Sequence, residues 1–190
     1  MIHVRIGGPE DIDARVAIDS SIASERVLLI DMEGAAPEYT IKLRWKRTKP
    51  EGARRDFLLD RAELASEISG AERFWVAEVD GYAAGFLVLT RWNWHPSTGD
   101  IRDIAVDRPY RGQGVGTALI EVMKGHARGE GMRGIFWEAQ NDNFDAINFA
   151  LRRGFAFAGL NDRFYGNEDR LRQRDPDFRG IATFLYWPAA

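Results

Sequence analysis

Residues Asp100 to Thr117, DIRDIAVDRPYRGQGVGT, constrain this chain more than any other stretch: an alternating apolar strand passes through a turn into glycines that open a helix. Gly112, Gly114 and Gly116 carry no Cβ, so successive backbone N–H groups can turn toward one point. The N-terminus of the following helix adds its partial positive charge. Such a loop binds phosphate, and a pyrophosphate-bearing cofactor is its natural guest. Two other phosphate loops fail on spacing. The dinucleotide pattern G-x-G-x-x-G would need glycine where Thr117 stands, and the P-loop would need Gly-Lys-Ser/Thr. What remains is R-x-x-G-x-G, Arg111 to Gly116, with Arg111, Gly112, Gln113, Gly114, Val115, Gly116 and Thr117 as the candidate cofactor-binding residues.

The rest of the composition narrows the setting. At 190 residues, 45% hydrophobic and 29% charged, the chain can bury a substantial core, and one domain over residues 1–190 is the expectation. A net charge of −3 gives no general attraction to nucleic acid or to an anionic membrane, so neither is expected as a partner. No apolar run approaches the ~20 residues of a membrane span, and MIHVRIGGPEDID has no signal-peptide pattern, so the expected location is the cytoplasm. The chain has no cysteine, which excludes disulfides, thiolate metal sites and a thiol acyl-enzyme. His3, His95 and His126 are too scattered to suggest a metal site.

Periodicity supplies the elements. His3 to Ile6 reads as a strand, and Pro9-Glu10-Asp11 opens a helical region expected to reach about Leu29. Tyr39, Ile41, Leu43 and Trp45 alternate with Lys42, Arg44 and Lys46, the mark of a half-buried strand with a basic outer face. Residues Lys46 to Arg55 read as a solvated loop. Asp60 and Glu63 form a capping-box spacing for a helix to about Ser69. Phe74 to Val79 and Ala83 to Arg91 are strands around an Asp80-Gly81 hairpin turn. After the glycine loop, Val115, Leu119, Val122 and Met123 mark the inner face of a helix ended by Gly129 and Gly131, with Lys124 elsewhere. Gly134 to Gln140 is a strand, and Asn143 caps a helix with Ala146, Ile147, Ala150 and Leu151 inward. Ala156 to Phe164 and Gly180 to Trp187 are further strands, separated by a polar surface loop over Gly166 to Arg179. The aromatic group Trp92 to His95 reads as packing more readily than as a substrate wall.

The strand, glycine loop and helix of DIRDIAVDRPYRGQGVGT, followed by WEAQNDNFDAINFALRRGF, resemble the acetyl-CoA-binding core of the GNAT superfamily of N-acetyltransferases. Asn143, Ala146, Phe149, Gly154 and Phe155 match its phrase N-x-x-A-x-x-F-Y-x-x-x-G-F, and the likeness covers about Phe74 to Tyr165. DIAVD, EAQN and the aromatic C-terminal strand are most similar to streptothricin acetyltransferases, with ribosomal-protein N-terminal acetyltransferases next. The resemblance implies an α/β fold: a mixed, mostly antiparallel central sheet flanked by helices, splayed between the strands ending near Asp107 and Gln140, where acetyl-CoA enters as co-substrate. It also places Ile104, Ala105 and Val106 beside the thioester and adds Asn143 and Phe149 to the cofactor-binding set.

Acyl transfer to nitrogen needs a neutral amine, hence a base. The resemblance points to Glu138 in the strand before Asn143, with Asp103 and Asp100 in reserve; three positions apart on one strand, these two are expected on opposite faces. The tyrosine that many relatives use to protonate the departing thiolate falls at Ala150. Tyr165 is the candidate replacement, ahead of Tyr110. Asp100, Asp103, Glu138, Asp142 and Asp162 near the inferred mouth favour a primary amine on a cationic small molecule, such as a streptothricin-like antibiotic, as acceptor. A peptide or protein N-terminus is the second reading, and a non-catalytic acyl-CoA-binding regulator the third. A homodimer is left open.

Overall fold

The computed structural model describes residues 1–47, 60–93, 95–165 and 180–189, together with the backbone of 53–55. In chain order the elements are β1 (Ile2–Ile6), α1 (Ile12–Ala17), β2 (Ile22–Ser24), β3 (Arg26–Ala35), β4 (Glu38–Arg47), β5 (Ala53–Arg55), α2 (Arg61–Ser69), β6 (Arg73–Val79), β7 (Tyr82–Trp92), β8 (His95–Val106), α3 (Val115–Gly129), β9 (Gly134–Gln140), α4 (Phe144–Arg152), β10 (Ala156–Asn161) and β11 (Ala182–Pro188). Seven strands form the central sheet in the order β1-β6-β7-β8-β9-β11-β10. Every adjacent pair is antiparallel except β8 with β9, which is parallel.

Local chemistry accounts for several boundaries. The β6–β7 turn has φ 50° at Asp80 and 84° at Gly81, the left-handed pair that a tight hairpin demands. Asp60 caps α2 by accepting from the N–H groups of Ala62 and Glu63. The region expected to be helical from Pro9 to Leu29 is different. A 3₁₀ turn over Pro9–Asp11 leads into α1, which ends at Ala17, and Ile18 is already extended. The following Val27-Leu28-Leu29-Ile30 is a continuous apolar run, which fits a strand as well as a helix, and it pairs across β4.

The β3–β4 ribbon puts Leu28, Ile30 and Met32 opposite Trp45, Leu43 and Ile41 on one face. The alternation read from the sequence is therefore present. Only the base of that face is covered: Trp45 meets Phe144 edge-on at 4.7 Å, while Met32, Tyr39, Ile41 and Leu43 are exposed. Asp31–Arg44 and Glu33–Lys42 ion pairs occupy the other face. Part of the expected loop over Lys46 to Arg55 is strand, with β4 reaching Arg47 and β5 pairing with β2. The expected loop over Gly166 to Arg179 lies outside the described residues. The strand expected to run to Phe164 ends at Asn161.

One face of the sheet carries α3 and α4, over a core of Trp75, Leu87, Leu89, Ile101, Leu119, Met123, Ile135 and Ile147. Ile120 and Ala127 complete the buried stripe of α3, whereas Val122 is 39% exposed and faces solvent; on α4, Leu151 is likewise exposed. Lys124 is buried instead of outward. Its Nζ donates to the Arg153 carbonyl at 2.6 Å and lies 5.1 Å from the Trp187 ring. The opposite face packs Phe74, Val76, Phe86, Val88 and Ala105 against Ile18 and the apolar sides of α1 and α2.

A bulge in β8 controls which face its carboxylates use. Val88 pairs with Asp103 and Leu89 with Ile101, leaving Arg102 as an extra residue. Ile101 and Ile104 consequently both enter the α3 side. Arg102 reaches Glu67 of α2 at 2.9 Å, and Asp103 takes a two-pronged bond from Arg15 of α1 at 2.6 and 2.9 Å. Asp100 precedes Ile101 and so points to this same side. The expectation that Asp100 and Asp103 oppose each other fails because the bulge shifts the alternation by one residue.

Arg15 is 2% exposed, so its charge depends on Asp103. We expect Asp103→Ala to destabilise the fold by about 3–5 kcal/mol, the scale for orphaning one member of a buried ion pair. Urea unfolding checks this. A loss below about 1 kcal/mol would mean that water or another group already neutralises Arg15.

Candidate active site

Hydrogen bonding between β8 and β9 runs from Thr98–Gly134 to Ile101–Trp137 and then stops, although β8 continues to Val106 and β9 to Gln140. Each strand keeps its outer neighbour beyond that point. Gly85 to Val88 of β7 support Val106 to Asp103, and Ala182 to Phe184 of β11 support Gln140 to Glu138. The result is a wedge with two firm walls. Ile104, Ala105 and Val106 lie on one wall, with their backbone edge facing the opening.

The start of α3 sits at this wedge. Gly112 and Gly114 have φ of 75° and 94°, and Gly114 is the N-cap, a conformation that L side chains rarely adopt. Ala118 N–H is the first to find a helical acceptor, Gly114 O, so the N–H groups of Val115, Gly116 and Thr117 are left for a ligand. Val115 is buried, and a Cβ at Gly116 would stand 3.3 Å from the Phe149 ring, which seats the loop on α4. Asn143 is occupied as a cap, accepting from Ala146 N–H at 3.2 Å. Gln113 folds back to donate to Pro109 O.

Arg111 is placed differently from the other loop residues. Its N–H is shared with Arg108 O at 3.3 Å, and its guanidinium donates to the carbonyls of Val106, Ser21 and Asp19 at 2.8–2.9 Å. It straps the loop to the end of β8 and to the segment after α1. An R-x-x-G-x-G motif carries no sign of that role, because the acceptors lie some 90 positions away. The glycine loop thus fits a phosphate group through Gly112 to Thr117, with Arg111 holding its shape.

On the wall formed by β9, Trp137 and Ala139 face α3 and α4, while Phe136 and Glu138 face the other way. The Tyr165 hydroxyl donates a hydrogen bond to Glu138 Oε1, so two residues singled out separately are brought together. Asp103, the reserve candidate, is engaged by Arg15 of α1. Ala150 is fully buried in the core, so nothing at that position reaches the wedge. Tyr110 stacks on Tyr82 at 5.1 Å as a turn aromatic. Asp142 is buried just beyond β9, and His126 lies 3.2 Å from Glu72 and edge-on to Trp75. No group of three metal-ligating side chains occurs among the described residues. No helix among them is long and apolar enough to cross a membrane.

A mixed sheet split at its parallel pair, with a glycine-capped helix entering the split, defines a phosphate-anchored acyl-carrier site. The comparisons agree. Residues 38–155 match the model of the Acetyltransferase (GNAT) family, and the chain belongs to that family. A streptothricin acetyltransferase of Streptomyces lavendulae is 38% identical over 65 residues, which is 34% of either chain, so the match spans about a third of that curated relative. Over whole chains, a nourseothricin acetyltransferase structure superposes with a TM-score of 0.77 at 26% identity, covering 100% of this chain and 99% of that one. A candidate streptothricin acetyltransferase from Bacillus anthracis str. Ames, solved in complex with acetyl coenzyme A, gives 0.77 at 25% identity, covering 99% of each.

The loop geometry makes Gly114 a sensitive position. Gly114→Val forces a β-branched residue into φ near 94°, at a strain of about 1–3 kcal/mol. Coenzyme A affinity, measured by calorimetry, should fall at least about tenfold, because reorienting even one N–H donor forfeits a charge-assisted bond. Undiminished affinity in a folded variant would dissociate the loop from cofactor binding.

Proposed function

We propose that this chain is an acetyl-CoA-dependent N-acetyltransferase acting in the cytoplasm on a primary amine of a cationic small molecule of the streptothricin type. The observation that carries the reading is the Tyr165–Glu138 hydrogen bond on the wall of the wedge, opposite a phosphate-binding helix start. Full-length similarity to a nourseothricin acetyltransferase and to an acetyl-CoA complex supports the choice of donor and acceptor. With no cysteine a thiol acyl-enzyme is excluded, and the acetyl group passes directly from thioester to amine in this reading.

In this reading Gly112 to Thr117 hold the pyrophosphate, and Ile104 to Val106 offer an edge N–H to the carbonyl oxygen as negative charge develops there. Acetyl-CoA supplies the thioester carbon that the amine attacks. Glu138 accepts the proton released from the attacking nitrogen, directly or through one water. Tyr165 gives its phenolic proton to the departing sulfur and recovers one from Glu138. The net movement is one proton from amine nitrogen to sulfur, so the pair ends as it began. Tyr165 thereby supplies from beyond β10 the acid that the α4 position of Ala150 lacks.

Glu138→Gln should lower kcat by about 10²-fold or more while coenzyme A binding is kept, the usual scale for a positioned base. Full kcat in that variant across neutral and alkaline pH would assign proton removal to water.

Tyr165→Phe keeps the ring and removes the proton donor, so kcat should fall with little change in acetyl-CoA KM. The double variant should lose less than the product of the two single losses, because the residues act as one hydrogen-bonded unit. Independent, multiplicative effects would separate their roles, and a fully active Tyr165→Phe would assign thiolate protonation to solvent. Wild-type inactivity toward streptothricin and peptide amines alike, with tight coenzyme A binding, would favour the regulator.

A further inference from the structure

Asp100 is a carboxylate near the mouth that the proposed chemistry does not use. It lies on β8 at the last part of the β8–β9 ladder, with Phe136 as its partner on β9 and Thr90 as its partner on β7. The bulge at Arg102 and the alternation of β9 put Asp100, Phe136 and Glu138 on one sheet face. From strand spacing and rise, the Asp100 and Glu138 Cα atoms are about 8 Å apart. Trp92 meets Phe136 edge-on at 4.2 Å and Phe136 meets Tyr186 at 4.8 Å, so an aromatic wall borders the carboxylate.

Among the described residues no side chain donates a hydrogen bond to the Asp100 carboxylate or forms an ion pair with it; Thr90 Oγ1 donates to its main-chain carbonyl at 3.4 Å. Arg102, whose charge acts on Asp100, is turned to Glu67 at 2.9 Å. Asp103, by contrast, is closed by Arg15. Desolvation raises the Asp100 carboxyl above the ordinary aspartate range, and Arg102 opposes this only in part. A half-buried carboxylate beside aromatic faces offers a cation both a charge-assisted bond and favourable ring quadrupoles.

We propose that Asp100, walled by Phe136 and Trp92, binds a second cationic centre of the acceptor, one other than the amine that is acetylated, and so selects acceptors carrying at least two positive charges. This rests on the amine-acetyltransferase reading above. The separation from Glu138 suits the role: one nitrogen is held at Asp100 while another lies at the base. Asp100 is then a specificity-determining residue, and its loss acts on acceptor binding and not on proton transfer.

The test is steady-state acetylation of streptothricin by wild type, Asp100→Asn and Asp100→Glu. Asp100→Asn should raise the acceptor KM about tenfold to a hundredfold, the worth of one hydrogen bond to a charged group, with kcat and acetyl-CoA KM little changed. Asp100→Glu should recover part of the loss. Raising ionic strength should weaken acceptor binding to wild type more than to Asp100→Asn. A fall in kcat with unchanged acceptor KM would overturn the proposal and make Asp100 part of the proton path. Unchanged kinetics would overturn it as well. Asp100→Asn removes an uncompensated charge, so its melting temperature should match or exceed wild type; a lower one, with acetyl-CoA KM also raised, would mark a structural role. If wild type acetylates no amine, the proposed function falls, and calorimetry of streptothricin binding decides this inference separately: weaker binding to Asp100→Asn supports it, and equal affinity or no binding to either protein overturns it.

Discussion

The parallel pairing of β8 with β9 is the constraint on which the rest of the molecule depends. Parallel neighbours cannot be joined by a tight turn, so the chain must leave the end of β8, cross a face of the sheet and return to the start of β9. That crossover is α3, and its N-terminus necessarily lies at the C-terminal ends of the two strands. When the ladder stops at Ile101–Trp137, the helix dipole, the unpaired N–H groups and the freed strand edges open onto one space. The anion site and the reacting groups thus come from a single topological decision. Antiparallel neighbours on the outer edges prevent the split from collapsing the sheet, since both β8 and β9 keep one complete ladder.

Much of this was legible because it is encoded locally. The bounds of β9 follow from alternation between glycine and turn residues, and the α2 and α4 caps follow from Asp60 and Asn143, each bonded within three positions. The glycine loop was readable for the same reason: positive φ at Gly112 and Gly114 is a property of single residues. Failures arose where an answer depends on partners distant in sequence. Arg15 and Asp103 are 88 positions apart, and nothing near either residue announces the pair. The exposed Val122 and Leu151 depart from the periodic pattern because both lie at the margin of an apolar stripe, where small rotations decide exposure.

The bulge in β8 is a separate kind of failure. Period-two reading assumes one residue opposite one residue, and a single extra residue at Arg102 reverses every inference that crosses it. Asp100 and Asp103 look like alternatives on opposite faces when counted along the chain. They share a face in the fold, and what separates them is company: one is closed by Arg15, the other borders aromatic rings. Glu138 and Tyr165 were identified by likeness and by elimination. Their direct hydrogen bond depends on how the chain turns after β10, which no spacing rule specifies.

The contrast between the two aspartates also bears on how stability and function are divided here. Asp103 neutralises a buried guanidinium and thereby fixes α1 against the sheet, so its charge is consumed by the fold. Asp100 is desolvated and has no such partner among the described residues, which costs stability relative to a neutral isostere. A fold can relieve that cost with one nearby arginine, and Arg102 is adjacent, yet it is directed to Glu67 on α2. The bulge that brings both carboxylates to one face therefore assigns them opposite tasks. The arginine-paired one ties the wall of the wedge to α1, and the other has no ion pair among the described residues. A rigid wall with an uncompensated charge is what orientation of a cationic acceptor requires, since the binding energy is then not spent on ordering the site.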